Sequence, residues 1–385
     1  MKLHLSKDTH YPFVNLVRTF HPVGQGAFYT EVFNDSFGRQ TVMVYDCGTE
    51  SPNGDDIVKT QIKGFADSIP RRKIDYLFIS HLHYDHISGL VDLMNILPPQ
   101  RILVPMLPID VILLYRINNL VRYGAAAIKT DNLIQDIYLG SNEGEDRIVS
   151  ANNVYGIRPQ SDYDRDNKLY PRYFNTVNDD TLIIKKIDEP WWRFRPFNSI
   201  DLLDQRAQKF LDLVRQIPGL LDNYYHLNVS MVLEEDVRSK LKNAYRESVN
   251  FANDNIYTLV VESEPVLRSP MNERDLLAGC VYFGDFCPTK ERWKRFNNTI
   301  DDYCNIGCVQ IPHHGSRMNW RDYMIPQNAD TFVISAGYNN SYHHPSYWVI
   351  RDLLDRGRDV KVVFEDDSSI VRSAFSFDGR RWKKY

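Results

Sequence analysis

Along residues 11–50, apolar and polar positions tend to alternate, with glycine at the turns. That period of two predicts antiparallel strands at Tyr11–Val17, Ala27–Phe33 and Thr41–Tyr45, with Pro12 confined to the start or an edge of the first. From Asp56 to Ser68 the apolar residues Ile57, Ile62, Phe65 and Ala66 fall at helical spacing. Ile74–Ser80 reads as a buried strand, residues 86–97 as a helix stopped by Pro98 and Pro99, and Arg101–Pro105 as the next strand. This strand–helix–strand order suits one half of an αββα sandwich.

From about 107 to 250 the character changes. Val111–Ala127 and Leu202–Ile217 carry helical periodicity, residues 232–248 read as an exposed helix with interleaved charges, and 141–180 is polar and rich in Asn and Asp. A strand is predicted at Thr181–Ile184. The block Trp191–Arg195 mixes aromatics with cations, which suits stacking on bases. Such a block is more often a packed aromatic cluster with snorkelling arginines, the reading adopted for it. The strand pattern returns at Ile256–Glu262, Gly279–Phe283, Val309–Ile311 and Thr331–Ser335, then a helix at 346–356 and a last strand at Val360–Phe364. The expected organisation is therefore a first half-domain over 1–106, a largely helical insertion over 107–250, and a second half-domain over 251–385.

Composition narrows the class only a little. A net charge of −4 excludes a globally basic nucleic-acid binder while leaving a local groove open. The most apolar run, Ile102 to Tyr115, contains Pro105, Pro108 and Asp110 and is too short to span a bilayer, so no membrane association is expected. Residues 1–7 carry no signal-peptide core, and five cysteines, an odd number, fit free thiols in a reducing cytoplasm. Cys304 and Cys308 could share a helix face, and Cys47 is read as packing.

The chemistry concentrates at His81-Leu82-His83-Tyr84-Asp85-His86, four ligand-type side chains within six residues, between a predicted strand and a predicted helix. Alternate residues His81 and His83 can point one way from an extended loop, and Asp85 and His86 toward a second position nearby. Two cations about 3.5–4 Å apart suit hydrolytic chemistry.

HxHxDH at a strand end resembles the metallo-β-lactamase superfamily. The segments His21-Pro22-Val23-Gly24-Gln25-Gly26, Asp46-Cys47-Gly48, Phe283-Gly284-Asp285, Pro312-His313-His314-Gly315-Ser316 and Tyr342-His343-His344-Pro345 follow in order. Together they are most similar to the soluble hydrolase domain of ComEC-type competence proteins and its free-standing relatives, over about 15–100 and 250–385. The resemblance implies the metallo-β-lactamase fold and two divalent ions, zinc or manganese, with magnesium a third option. The ligands it implies are His81, His83, Asp85, His86, a bridging Asp285, and His313. His314 is then the residue that touches substrate or protonates the leaving group, the two exchanging roles in the alternative assignment, and His344 is the other candidate proton donor or ligand. Asp85 counts among the catalytic residues as well. His343 is read as a surface residue, Asp46 as the group that orients the metal loop, and Gln25 as facing the metals or simply closing a turn. The family's further histidine would fall near Phe251–Asn255, where there is none; water, Asn, Asp or His226 would complete the first ion.

The activity implied is metal-dependent hydrolysis, foremost of a phosphodiester in nucleic acid. The alternatives are a hydrolase of small phosphoesters, lactones or thioesters, and a non-catalytic scaffold. Basic runs at Arg71–Lys73, Lys290–Arg295 and Arg380–Lys384 could meet phosphates, and the 107–250 insertion could meet a protein partner.

Overall fold

The computed structural model describes residues 13–139, 149–159, 175–177, 182–185, 190–198, 205–222, 226–248, 257–266, 277–300, 305–378 and 382–385. In chain order the first part comprises β1 (Val14–Phe20), β2 (Gly26–Asp35), β3 (Gln40–Thr49), α1 (Gly54–Asp67), β4 (Tyr76–Phe78), α2 (Tyr84–Ile87), α3 (Leu90–Ile96) and β5 (Ile102–Pro105). The middle comprises α4 (Ile109–Tyr123), α5 (Ile128–Tyr138), β6 (Val154–Ile157), β7 (Asn175–Val177), β8 (Leu182–Lys185), β9 (Pro190–Phe197), α6 (Gln205–Arg215), the short pair β10 (Leu221–Asp222) and β11 (His226–Leu227), α7 (Val229–Leu233) and α8 (Glu235–Ser248). The last part comprises β12 (Val260–Pro265), β13 (Gly279–Tyr282), α9 (Lys290–Thr299), β14 (Ile306–Gln310), β15 (Thr331–Ser335), α10 (Tyr347–Asp355), β16 (Asp359–Val363), β17 (Val371–Phe377) and β18 (Trp382–Lys384).

Two sheets result, ordered β18-β17-β1-β2-β3-β4-β5-β6-β7 and β16-β15-β14-β13-β12-β9-β8. The strand period of two sorts their side chains into layers. Val42 and Val44 of β3 join Val58 and Ile62 of α1, Leu93 of α3, and Ile112 and Leu133 farther along in one core. Met43 and Tyr45, one residue out of phase, join Phe194, Val261, Tyr282 and Val333 between the sheets. Val260, Val281, Val309 and Phe332 face the other way, onto Trp293 and Phe296 of α9 and Leu353 of α10. Helix, sheet, sheet, helix is the layer order these three cores require. A fourth cluster, with Leu114, Ile117, Phe210, Leu211 and Leu241, packs α4 against α6, α7 and α8.

The span 107–250 supplies strands to both sheets as well as these helices. Within the block Trp191–Arg195, Trp192 and Phe194 are buried as expected, but Arg193 and Arg195, instead of snorkelling to water, pair with Glu264 and Glu262 of the neighbouring strand. The strand expected to be last is followed by two more, because β17 returns to pair along the whole of β1 and β18 then pairs with β17. The helix expected over 86–97 breaks into α2 and α3 at Ser88 and Gly89, where a Cβ on Gly89 would stand 2.7 Å from Val58 Cγ1. Among the described residues no helix is long and apolar enough to cross a membrane. Tyr11, Pro12, Phe251–Asn255, Cys304, Arg380 and Arg381 lie outside the described residues.

Between the sheets sits one buried ion pair, Arg18 with Glu31 at 2.7 Å, extended by Tyr282 and Ser263 donating to the same carboxylate at 2.9 and 2.6 Å. Hydrogen bonding of every carboxylate oxygen is what lets a charge stay so deep.

Candidate metal centre

The site lies beyond the C-terminal ends of parallel strands, where an α/β sheet gathers loops. β4 leads to Ser80 and His81, β13 to Asp285, β14 to His313 and His314, and β15 contributes the Ser335 carbonyl. Three local devices aim these groups. In β3, pairing with β2 slips by one residue, Phe28 opposing Cys47 and Tyr29 opposing Tyr45. Asp46 is the extra residue, with φ +56°, and the bulge turns its carboxylate toward the loop. It accepts from Ser80 N at 2.7 Å, Ser80 Oγ at 2.6 Å and His86 Nδ1 at 2.7 Å. Because a carboxylate accepts, His86 carries its proton on Nδ1 and turns Nε2 into the site. Second, Gly48 lets β3 touch the loop: a Cβ there would stand 2.6 Å from Ile87 N and 2.7 Å from the His86 carbonyl carbon. Third, Gly284 takes φ +54°, and a side chain on it would meet Thr258 and the Tyr45 hydroxyl at 2.8 Å each, so the turn presenting Asp285 needs glycine.

Two groups of ligand-type atoms result, each within 4.8 Å: His81, His83 and Asp285, and Asp85, His86, Asp285 and His314. Asp285 belongs to both. Its Oδ2 is 3.7 Å from His81 Nε2, and its Oδ1 is 3.2 Å from His86 Nε2. His314 Nε2 stands 3.0 Å from Asp85 Oδ2, while its Nδ1 donates to the Ser335 carbonyl at 2.9 Å. The fit to cations rests on the centre of this arrangement. His86 Nε2 and Asp285 Oδ1 are buried, face each other, and make no hydrogen bond of good geometry among the described residues. Orphaned polar atoms of that kind are rare inside proteins, and an imidazole–carboxylate set suits zinc or manganese.

Of the two adjacent histidines, whose order the sequence leaves open, His314 falls within the second group and His313 does not. Both have positive φ, 49° and 53°, in a single tight turn. His314 points inward and joins the second group. His313 is half-buried, is held through Nδ1 by Asn319 Oδ1 at 3.0 Å, and reaches only to 3.8 Å from Asp285. His344 belongs to neither group; its ring lies 5.5 Å from that of His313, with a buried Nδ1 that has no hydrogen-bond partner among the described residues. His343 is exposed, as is His226 on the β10–β11 hairpin, outside both groups. Gln25 is buried and meets Gly337 N rather than a metal ligand. Cys47 is buried packing.

The electrostatics follow from burial among carboxylates. Burial opposes charge on His86, but Asp285, Asp85 and Asp46 together overcome it and raise the imidazole. His314 moves up for a similar reason, burial being outweighed by Asp85 and Asp285. Asp85 and Asp285 are held low despite burial, by His86 and His314 in one case and by His313 and His86 in the other. Burial pulls His81 down, and likewise His83 to about 4 and His344 to about 3. Neutral imidazoles at His81 and His83 keep a lone pair for a cation.

Several contributors had no motif. Ser80 links Asp46 to His81 Nδ1 at 2.9 Å. Asn319 braces both His313 and the Asp285 carbonyl, the latter at 3.0 Å. From α4, Asn119 donates to the Leu82 carbonyl at 2.8 Å and Tyr115 lies edge-on to His83 at 4.9 Å. The one available hint was polar residues, Arg116, Asn118 and Asn119, inside the apolar run Val111–Val121.

Residues 36–150 match the model of the Metallo-beta-lactamase superfamily. Among solved structures, the chain is similar to the metallo-beta-lactamase fold protein YhfI from Bacillus subtilis, at 10% identity and TM-score 0.36, over 94% of this chain and 100% of that one. It is also similar to a long form RNase Z from yeast, at 9% identity and TM-score 0.37, over 97% of this chain and 49% of that one, so it spans about half that protein's length. No curated protein matches the chain. With that family's model matched over 36–150 and two sheets layered between helices, the chain has the metallo-β-lactamase fold, a mixed α/β architecture consistent with an αββα sandwich.

Proposed function

We propose that this protein is a metal-dependent hydrolase, foremost a phosphodiesterase acting on nucleic acid. The observation that carries this reading is the sharing of buried Asp285 by two ligand groups. Bound there, a pair of divalent ions would bring the pKa of water toward neutrality and offset charge on substrate oxygens. His81, His83 and Asp285 would hold one; Asp85, His86, His314 and Asp285 would hold the other. Asp46 fixes the His86 tautomer, and the Ser335 carbonyl fixes that of His314. His313 and His344, at the rim and outside both groups, are the imidazoles left to pass a proton to a leaving group. Burial of the inner residues excludes bulk water from the ligands. The likeness of the VGQG and HHGS segments to ComEC-type hydrolase domains supports a nucleic-acid substrate.

A smaller substrate is the second reading. It is favoured by a cavity of about 260 Å³ lined by Gln25, Glu50, Arg122, Asn340, Tyr342 and Glu365, among others. Glu50 there feels the charges of Asp85 and His314. Turnover of bis-p-nitrophenyl phosphate with manganese or zinc separates a hydrolase from a scaffold. Loss of that turnover in both His83→Ala and Asp285→Ala, with the far-ultraviolet spectrum unchanged, is expected. Retention in both variants would reject the assignment.

A further inference from the structure

Next to the metal centre, the first turn of α10 exposes two large aromatic side chains. Tyr347 is 66% and Trp348 54% accessible, far more than a side chain of that size ordinarily leaves to water. Two guanidinium groups flank the indole, Arg317 at 5.3 Å and Arg351 at 5.9 Å from its centre. Arg351 shares its charge with Asp355 at 3.3 Å. Arg317 has no carboxylate partner among the described residues, and its neighbour Met318 is 62% exposed.

This surface is fixed to the catalytic loop. Ser346 N donates to the Gly315 carbonyl at 3.0 Å, and a Cβ on Gly315 would stand 2.8 Å from Pro345 Cβ. The turn carrying His313 and His314 and the start of α10 are therefore one packed unit. Arg317 is three residues from His314 in the chain and Trp348 three from Pro345.

We infer that Trp348, Tyr347 and Arg317 form a stacking platform for unpaired bases of single-stranded nucleic acid. The part of Trp348 and Tyr347 left to water accepts any base beside the guanidinium already on the indole, and Arg317, with no carboxylate partner among the described residues, meets the phosphate that accompanies it. Bases inside a duplex have their faces covered, so the platform selects single strands or frayed ends. The inference deepens the proposed function by naming the form of the substrate, and it rests on that reading only for its biological sense, because binding is measured without turnover.

The test is fluorescence anisotropy of a labelled 12-nucleotide single strand and of the matching duplex, with full-length protein in EDTA. Trp348→Ala should weaken single-strand binding at least fivefold, about the low end of one base–aromatic stack, and leave duplex binding unchanged. Trp348→Phe should restore most of it, since any ring serves. Arg317→Gln should lower the slope of log K against log salt by about 0.7, one phosphate contact on a single strand. Absence of single-strand binding by the wild type, or a Trp348→Ala effect equal on strand and duplex, would overturn the platform, as would single-strand affinity unchanged in that variant. Wild-type turnover of bis-p-nitrophenyl phosphate reports separately on the hydrolase reading, so its failure beside a positive binding result sinks only that reading.

Discussion

Replacing Asp46 by Asn probes the candidate metal centre without touching either group of ligand-type residues. The φ of +56° at this bulge suits Asn almost as well as Asp, so backbone strain does not confound the comparison. An amide oxygen at the Oδ1 position still accepts from Ser80 N, now 2.7 Å away. The amide NH2 then occupies the place where Oδ2 accepts from Ser80 Oγ and His86 Nδ1. Ser80 can rotate its hydroxyl; His86 must move its proton to Nε2, the atom that faces Asp285 Oδ1 at 3.2 Å. The lone pair for the cation is lost in that tautomer. Removal of such outer hydrogen bonds typically costs about 10- to 100-fold in metal affinity, about 1.4–2.7 kcal/mol. Stability of the metal-free fold should change by no more than about 1–2 kcal/mol, the net value of charged hydrogen bonds exchanged for neutral ones. Competition with a fluorescent chelator for manganese or zinc, beside urea denaturation in EDTA, measures both. Affinity within twofold of wild type would refute the role given to Asp46.

Further outcomes follow from the same geometry. Gly48→Ala should shift the Asp85–Ile87 backbone, since all the near neighbours of the added Cβ are main-chain atoms, and lower both stability, by about 1–3 kcal/mol, and metal affinity; unchanged binding by calorimetry would contradict the close approach. Asp285→Asn should weaken both metal-binding steps, His81→Ala only one and His314→Ala only the other, in titration calorimetry; identical effects of the two histidine variants would contradict separate groups. His21 is pulled down to about 3 by burial and then by Arg372. The unfolded chain, with an ordinary histidine near 6.5, then binds more protons than the fold, so stability is full above that pH and falls as pH drops toward 3. Between pH 6.5 and 5 the loss is about 2 kcal/mol, and His21→Gln should flatten that slope in urea titrations; an unaltered slope would show that His21 is not the titrating group.

Legibility tracked the range of the interactions involved. Short apolar runs such as Thr331–Ser335 coincide with the observed element, because successive side chains face one core and then the other. The loop 81–86 was readable because its ligand-type side chains lie within six residues. β17 and β18 were not: residues 371–377 carry Arg372, Ser373 and Ser376 among the apolar positions, and what makes them a strand is pairing with β1 at the far end of the chain. Which of His313 and His314 turns inward was equally hidden, since two adjacent positive φ values and a hydrogen bond to Ser335 decide it. Asn119 and Asn319 act through main-chain carbonyls and leave no spacing to recognise.

Anomalous diffraction from crystals soaked in manganese tests the central claim most directly. Two peaks about 3.5–4 Å apart on either side of the Asp285 carboxylate are expected, one beside His81 and His83 and one beside Asp85, His86 and His314. A map with no peak at Asp285, with the protein saturated in metal, would contradict it.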